Sequence, residues 1–88
     1  MLPYRSEIRN SPKEQTIKIY VKDLSKDEDI KNVLSKMDGI KLVEIQKSLS
    51  RNRVDQNITI YRNEGEDINV LKTEIDKLLD QYFSLNSI

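Results

Sequence analysis

The stretch from Thr16 to Ile45 constrains the fold more than any other part of this 88-residue chain. Its first part, Thr16 to Asp23, alternates between apolar and polar side chains, as a strand with one buried face does. The next apolar residues recur at helical spacing and form one stripe: Ile30, Val33, Leu34 and Met37. Gly39 ends that pattern, and Ile40 to Lys47 alternates again. The stretch therefore predicts a strand, a helix and a second strand.

The start of this helix has the sequence of a capping box, Ser-Lys-Asp-Glu, over Ser25 to Glu28. In this motif the Ser25 hydroxyl accepts a hydrogen bond from the Glu28 amide, and the Glu28 side chain accepts one from the Ser25 amide. The acidic residues 27–29 also lie at the positive end of the helix dipole. Because three consecutive helical residues point in different directions, we interpret them as a helix start and not as a cation site.

The remainder of the chain repeats this plan. Val54 to Arg62 alternates and predicts a third strand, joined to the second by a long, flexible polar loop over Ser48 to Arg53. Asp67 is a suitable N-cap for a second helix that we expect to run to about Phe83. The apolar stripe of this helix consists of Ile68, Leu71, Ile75, Leu78, Leu79 and Tyr82.

The two ends of the chain lack this periodicity. Residues 1–15 contain two prolines and charges of both signs, so we predict a flexible N-terminal arm that Tyr4 and Ile8 could attach to the body. Residues 84–88 are predicted to be a C-terminal tail or a short edge strand. The single folded domain is expected to span residues 16–83.

The element order β-α-β-β-α, with or without a short fourth strand, predicts an α+β fold. Right-handed crossovers place both helices on one face of an antiparallel sheet and leave the other face open. This is the ferredoxin-like split βαβ sandwich. Val33 and Ile60 are among the predicted core positions. Residues predicted to bind a partner on the open sheet face are Lys18, Tyr20, Lys22, Leu42, Thr59 and Tyr61.

The composition restricts the chemistry that the chain can perform. It contains no cysteine and no histidine, which removes disulfides, thiolate metal sites and the usual general base. The carboxylates fall on helix starts and solvated faces, without a nucleophile–base pair or a glycine-rich phosphate loop. We therefore predict a protein that is not an enzyme and that binds no cofactor and no metal.

The hydropathy pattern restricts the location of the protein. No apolar run approaches the length of a membrane span, and the N-terminal sequence MLPYRSEIRN lacks the apolar centre of a signal peptide. We therefore expect a soluble intracellular protein, cytoplasmic by default, without a membrane partner.

The hexamer IYVKDL, Ile19 to Leu24, resembles the first ribonucleoprotein motif of RNA-recognition domains, with Asp in place of that family's Asn. The following helix and strand are also similar to this family, and the resemblance covers about Ile17 to Glu74. It implies that Tyr20 stacks on a base from the open sheet face. The second motif is absent, because Asn57 and Thr59 stand where the family carries two aromatic residues. The resemblance therefore implies only part of a stacking platform.

A second segment, LSKMDGIKLVEI, is similar to the end of the first helix and the second strand of heavy-metal-associated domains. That family binds soft metals through two cysteines in its first loop. The corresponding loop here, Asp23 to Asp29, contains no cysteine. This weaker likeness implies the fold without the metal function.

Two functions of different classes suit the predicted open face. The first is a protein-interaction module that binds a protein partner or a second copy of the chain. The second is binding of single-stranded RNA or DNA, with Tyr20 against a base and cations against phosphates. The predicted basic hairpin loop for such binding contains Lys47, Arg51 and Arg53.

The net charge and the fold bear on this choice. The chain has 15 basic and 15 acidic residues, and a net charge of zero disfavours general binding to polyanions. A third function, a small regulatory module that senses a ligand between subunits, depends on fold analogy alone.

Overall fold

The computed structural model describes residues 3–50 and 53–85, and all their side chains except those of residues 24, 48–50, 53–56 and 85. Within this part of the chain there are four strands and two α-helices. In chain order they are β1 (Tyr4–Asn10), β2 (Gln15–Val21), α1 (Asp27–Leu34), β3 (Ile40–Ser50), β4 (Arg53–Arg62) and α2 (Ile68–Leu85). A short 3-10 helix, Leu24–Lys26, precedes α1.

The four strands form one antiparallel sheet in the order β1-β2-β4-β3. The helix α1 connects β2 to β3, and β4 lies between these two strands, which gives the predicted split βαβ arrangement. Both helices bury their apolar stripes against the same face of the sheet. The predicted α+β architecture of the ferredoxin-like type is therefore confirmed.

The register of the sheet brings the apolar side chains of neighbouring strands together on the helix-covered face. Ile60 of β4 lies opposite Ile17 of β2 on one side and opposite Val43 of β3 on the other. Each fully buried aliphatic side chain contributes about 1.5–3 kcal/mol through the hydrophobic effect. The buried apolar core consists of Tyr4, Ile17, Ile19, Val21, Ile30, Leu34, Val43, Ile58, Ile60, Ile68, Leu71, Ile75 and Leu79. Val33 does not belong to it, because this predicted core residue is only half-buried.

The N-terminal segment differs from the flexible arm predicted for residues 1–15. Tyr4–Asn10 forms β1, which pairs with β2 along its whole length, from Tyr4 opposite Val21 to Asn10 opposite Gln15. A tight turn connects the two strands: the Ser11 amide donates to the Glu14 carbonyl at 3.1 Å. The strand is stable there because its Tyr4 and Ser6 side chains donate hydrogen bonds to α2. The folded domain therefore includes this segment.

The fourth strand of the described sheet thus comes from the N-terminal end of the chain. The helix α2 continues past the predicted end at Phe83 to Leu85, so Ser84 is helical. Residues 86–88 lie outside the described part of the chain. The edge position next to β2 is occupied by β1.

The hairpin of β3 and β4 is longer than predicted. Ser50 pairs with Arg53, so most of the predicted loop over residues 48–53 is strand, and residues 51 and 52 lie outside the described part. The polar sequence is compatible with strands here, because β2 pairs with β4 only as far as Ile58. Beyond that point β3 and β4 pair with each other as far as Ser50 and Arg53.

Of the two predicted helix N-caps, the one at Ser25 differs from the structure. The capping box predicted at Ser25 does not form: the N-cap of α1 is Lys26, which makes no side-chain capping bond. Ser25 instead donates to Asp23 Oδ1, from its hydroxyl at 2.7 Å and from its amide at 3.1 Å. An aspartate two residues upstream competes successfully for the donors of the first turn.

The cap of α2 is as predicted, whereas α1 ends at Leu34, before the predicted stop at Gly39, so Met37 lies beyond the helix. Asp67 Oδ1 accepts hydrogen bonds from the amides of Asn69 and Val70, at 2.8 and 3.2 Å. Gly39 has a φ of 90°, which glycine adopts without the steric cost that a side chain would add. It allows the chain to turn from the end of α1 into β3.

Candidate binding face

The face of the sheet opposite the helices is the candidate functional site, and we refer to it as the open face. In the described part of the chain, neither helix packs on it. The strands β2, β3 and β4 contribute the alternate residues that the sequence predicts there, with the exception of Lys22. Together with β1, they place on this face Arg5, Glu7, Arg9, Lys18, Tyr20, Leu42, Glu44, Gln46, Asn57, Thr59 and Tyr61.

The three charged residues of β1 are the members that the sequence analysis missed. Arg5 lies opposite Tyr20, and Glu7 lies opposite Lys18 on β2. A sequence signal was present: Tyr4, Ser6 and Ile8 alternate with charged residues, and a Ser-Pro turn follows. This alternation is typical of a strand with one covered face.

The centre of the open face is a hydrogen-bonded polar network. Lys18 Nζ donates to Gln46 Oε1 at 3.0 Å and to Thr59 Oγ1 at 3.1 Å. The Thr59 hydroxyl donates in turn to Asn57 Oδ1 at 3.0 Å. Thr59 is on the predicted face but only 2% exposed. Its hydroxyl therefore orients Lys18 and offers little surface to a binding partner.

Tyr20 is held between two arginines of β1. The guanidinium of Arg5 lies 4.6 Å from the centroid of the Tyr20 ring, a cation–π contact of about 0.5–1 kcal/mol at exposed sites. Arg9 Nη2 donates to the Tyr20 hydroxyl at 3.3 Å and lies 2.6 Å from Glu7 Oε1. The hydrogen bond to Tyr20, followed by the Glu7 carboxylate, raises the pKa of Arg9. One face of the ring that was predicted to stack on a base is thus covered by Arg5.

Leu42 and Tyr61 form an apolar spot on the other half of the open face. They lie opposite each other on β3 and β4. Leu42 is 47% exposed, and among the described residues the one other large apolar side chain that is exposed is Val70, on α2. The open face therefore has an apolar spot on one side, a polar centre, and an arginine-rich side formed by β1.

Lys22 is separated from the other predicted residues of the open face. It follows the end of β2 and lines a cleft of about 870 Å³ at the end of the sheet, together with Pro3, Lys26, Asp80 and Phe83. The alternation of β2 does not continue to this position, because the strand ends at Val21.

The predicted nucleic-acid loop falls largely outside the described side chains. Lys47 is exposed on β3. Arg51 lies outside the described residues, and the side chain of Arg53 is not described. Lys47 is therefore the member of this set that the structure positions in full.

Residues 3–50 and 53–85, the part of the chain that the structure describes, contain neither a cluster of metal ligands nor a membrane-spanning helix. No three acidic side chains approach one another closely enough to hold a metal ion there. Neither of the two described α-helices combines the length and the apolar character needed to cross a membrane.

Comparison with known proteins found no matching family model, no matching curated protein and no matching solved structure. The function is therefore inferred from the geometry of the open face.

Proposed function

We propose that this protein is a non-enzymatic binding module whose open face contacts a protein partner. The observation that carries the proposal is the apolar spot: Leu42 is 47% exposed beside Tyr61, on a sheet face that neither helix covers. Burial of an exposed leucine contributes about 1.5–3 kcal/mol, and tyrosine is frequent among the residues that dominate binding energy.

The polar groups around this spot also suit a protein interface. Lys18 is already hydrogen-bonded to Gln46 and Thr59. A partner that covers Lys18 would therefore not bury an ammonium group without hydrogen-bond acceptors, which would oppose binding. Charges of both signs, from Glu44 to the arginines of β1, surround the apolar spot and can select a partner of complementary charge.

The test compares tagged wild-type protein with Leu42→Asp and with the matched control Val70→Asp, in an extract of the cells that produce the protein. Val70 is 58% exposed on α2, away from the open face. We expect quantitative mass spectrometry to find a protein that wild type and Val70→Asp enrich and Leu42→Asp does not. The purified partner should then bind Leu42→Asp at least about tenfold more weakly. Equal binding by the Leu42 variant, or no enriched protein, would contradict the proposal.

Binding of single-stranded nucleic acid is a second candidate, and one observation favours it. The strand β1 adds Arg5 and Arg9 beside Tyr20, and Lys18 lies on the same half of the open face. Cations of this kind contact phosphates, and arginine also stacks on bases. Against it, Arg5 occupies one face of the Tyr20 ring, and Arg9 pairs with Glu7.

Titration with a fluorescent mixed-sequence oligonucleotide at low and moderate salt separates the two candidates. Nucleic-acid binding predicts an affinity that falls steeply with salt and that is lost in Tyr20→Ala while Tyr82→Ala, on α2, retains it. Absence of binding at low salt would exclude this candidate and leave the protein partner.

A further inference from the structure

We propose that two copies of this chain pair antiparallel through the outer edges of their β1 strands, with the twofold axis at Ile8. The two sheets then become one continuous sheet. This inference is independent of the protein partner proposed for the open face, since it concerns the edge of the sheet and not its face.

The outer edge of β1 is free to pair. β1 is the terminal strand of the sheet, and no other strand of the described chain lies beyond it. The Lys22 amide donates to the Pro3 carbonyl at 3.0 Å, and the Ser11 amide donates to the Glu14 carbonyl at 3.1 Å. Hydrogen-bonded pairs alternate along an antiparallel ladder. Because Pro3 and Ser11 both belong to such pairs, the odd-numbered residues of β1 make the backbone hydrogen bonds to β2. Ser6, Ile8 and Asn10 therefore direct their amides and carbonyls outward.

The charges of β1 identify a second copy of the same strand as the occupant. Arg5, Glu7 and Arg9 alternate in sign along the open face. Within each copy Glu7 already pairs with Arg9 of the same strand. With the axis at Ile8, each Glu7 also lies opposite Arg9 of the other copy, so the four side chains form one network of alternating charge. The two half-buried Ile8 side chains become neighbours on the helix-covered face. Opposite charges at facing positions stabilise a pair of strands, and like charges destabilise it.

The alternative symmetric registers are electrostatically unfavourable. An axis at Glu7 brings the two Glu7 side chains together and sets Arg5 against Arg9. An axis at Ser6 pairs Arg5 with Glu7, but it also brings Asp76 of both copies to the axis, because each Ser6 hydroxyl donates to its own Asp76 at 2.7 Å. The register centred on Ile8 moves the two Asp76 carboxylates apart along the strands.

The opposite edge of the sheet, β3, lacks these features. It carries an irregularity in register between Ile40 and Leu42, which disturbs pairing with another strand. Lys41 lies at this irregularity, and of the other described charged side chains of β3, Glu44 lies on the open face and Lys47 on the other face. A symmetric pairing of β3 therefore cannot set these opposite charges against each other, since facing residues share a face of the sheet.

The dimer expected from this register contains about six backbone hydrogen bonds between the copies, two for each facing pair of Ser6, Ile8 and Asn10. Its open face is continuous across both copies. The apolar spots at Leu42 and Tyr61 lie near the outer edges and stay accessible.

The test uses sedimentation equilibrium and native mass spectrometry on the full chain. Wild type should have twice the monomer mass of 10.3 kDa. Glu7→Arg alone and Arg9→Glu alone should each raise the dimer dissociation constant about tenfold or more, because each sets two pairs of like charges across the axis. A mixture of the two variants restores both opposite-charge pairs, so it should form the heterodimer in preference to either homodimer. The control, Glu44→Arg on β3, should dimerise like wild type.

Circular dichroism establishes that each variant is folded, and hydrogen exchange gives a second readout. The Ser6 and Ile8 amides should exchange slowly in the dimer and rapidly after dilution to monomer. A monomeric mass at all concentrations would overturn the inference. So would dissociation by Glu7→Arg without any effect of Arg9→Glu, which indicates the axis at Ser6. A dimer lost in Leu42→Asp and kept in both β1 variants would also overturn it, and would identify the open face as the contact between copies.

Discussion

Tyr4 is the residue that attaches the N-terminal strand to the rest of the fold. Its hydroxyl donates to Asp80 Oδ1 at 2.9 Å and lies 3.2 Å from the Asp76 carbonyl. Its ring stacks on Phe83 with the centroids 5.7 Å apart. The neighbouring Ser6 donates to Asp76. The side chains on one face of β1 thus bind the side of α2, which explains why this short polar segment is ordered.

The substitution Tyr4→Phe removes the hydroxyl and keeps the stacked ring. We expect it to lower the free energy of unfolding by about 1–2 kcal/mol, since a hydrogen bond to a charged acceptor is lost. Urea denaturation measures this difference. The control is Tyr20→Phe, whose exposed hydroxyl bonds Arg9 at 3.3 Å and should contribute less than about 0.5 kcal/mol. Equal effects of the two variants would show that Tyr4 does not anchor β1.

The same hydroxyl predicts how stability depends on alkaline pH. Burial, followed by the hydrogen bond to Asp80, raises the pKa of Tyr4 well above the ordinary value of 10.0. The folded state therefore retains a proton that the unfolded state loses, so this contribution is complete below pH 10 and is lost as the pH rises above it. Denaturation between pH 9 and pH 11.5 should show a steeper loss of stability in wild type than in Tyr4→Phe. Parallel curves would contradict the assignment, because the other titrating groups are common to both proteins.

At the scale of elements, the sequence predicts what depends on local pattern and misses what depends on distant contacts. The strand β2 and the helix α2 follow from apolar periodicity, and so do the positions of Tyr20, Leu42 and Tyr61 on the open face. The alternation in β1 is short, with only Tyr4 and Ile8 as its apolar members, and the contacts that hold the strand, from Tyr4 to Asp80 and from Ser6 to Asp76, span 76 and 70 positions. Without β1, Arg5 and Arg9 could not be assigned to the open face.

Helix capping illustrates the same limit at closer range. Ser25 and Asp67 both fit the pattern of an N-cap, but Asp23 accepts the hydrogen bonds of Ser25, and only Asp67 caps its helix. A pattern of residue types does not determine which of two nearby acceptors a donor chooses.

The helix α2 should therefore depend on Asp67. We expect Asp67→Ala to lower the free energy of unfolding by about 1 kcal/mol, because the amides of Asn69 and Val70 lose their acceptor. Asp67→Asn retains a side-chain oxygen and should restore most of this difference. The control Glu64→Ala, in the exposed turn before the helix, should change stability by less than about 0.5 kcal/mol. A full loss in Asp67→Asn would indicate that charge and not the capping bond is responsible.

At the scale of the whole molecule, stability depends on one small core between the sheet and the two helices, and Ile60 lies at its centre. Ile60 is fully buried on the inner strand β4, opposite Ile17 and Val43. An aspartate at this position would place a carboxylate without a partner among aliphatic side chains. A domain of this size has a stability of about 5–15 kcal/mol, so we expect Ile60→Asp to abolish cooperative unfolding.

Val33 provides the matched comparison, since it belongs to the same predicted apolar set but is only half-buried on α1. A carboxylate there can reach water, so Val33→Asp should keep the fold and lower the melting temperature. Thermal melts followed by circular dichroism, with one-dimensional NMR spectra of both variants, measure the contrast. A cooperative melt of Ile60→Asp near the wild-type midpoint would show that β4 does not direct Ile60 into the core. The open face, which is defined by the alternate residues of the same strand, would then be wrong as well, because a strand that turns Ile60 outward turns Thr59 and Tyr61 inward.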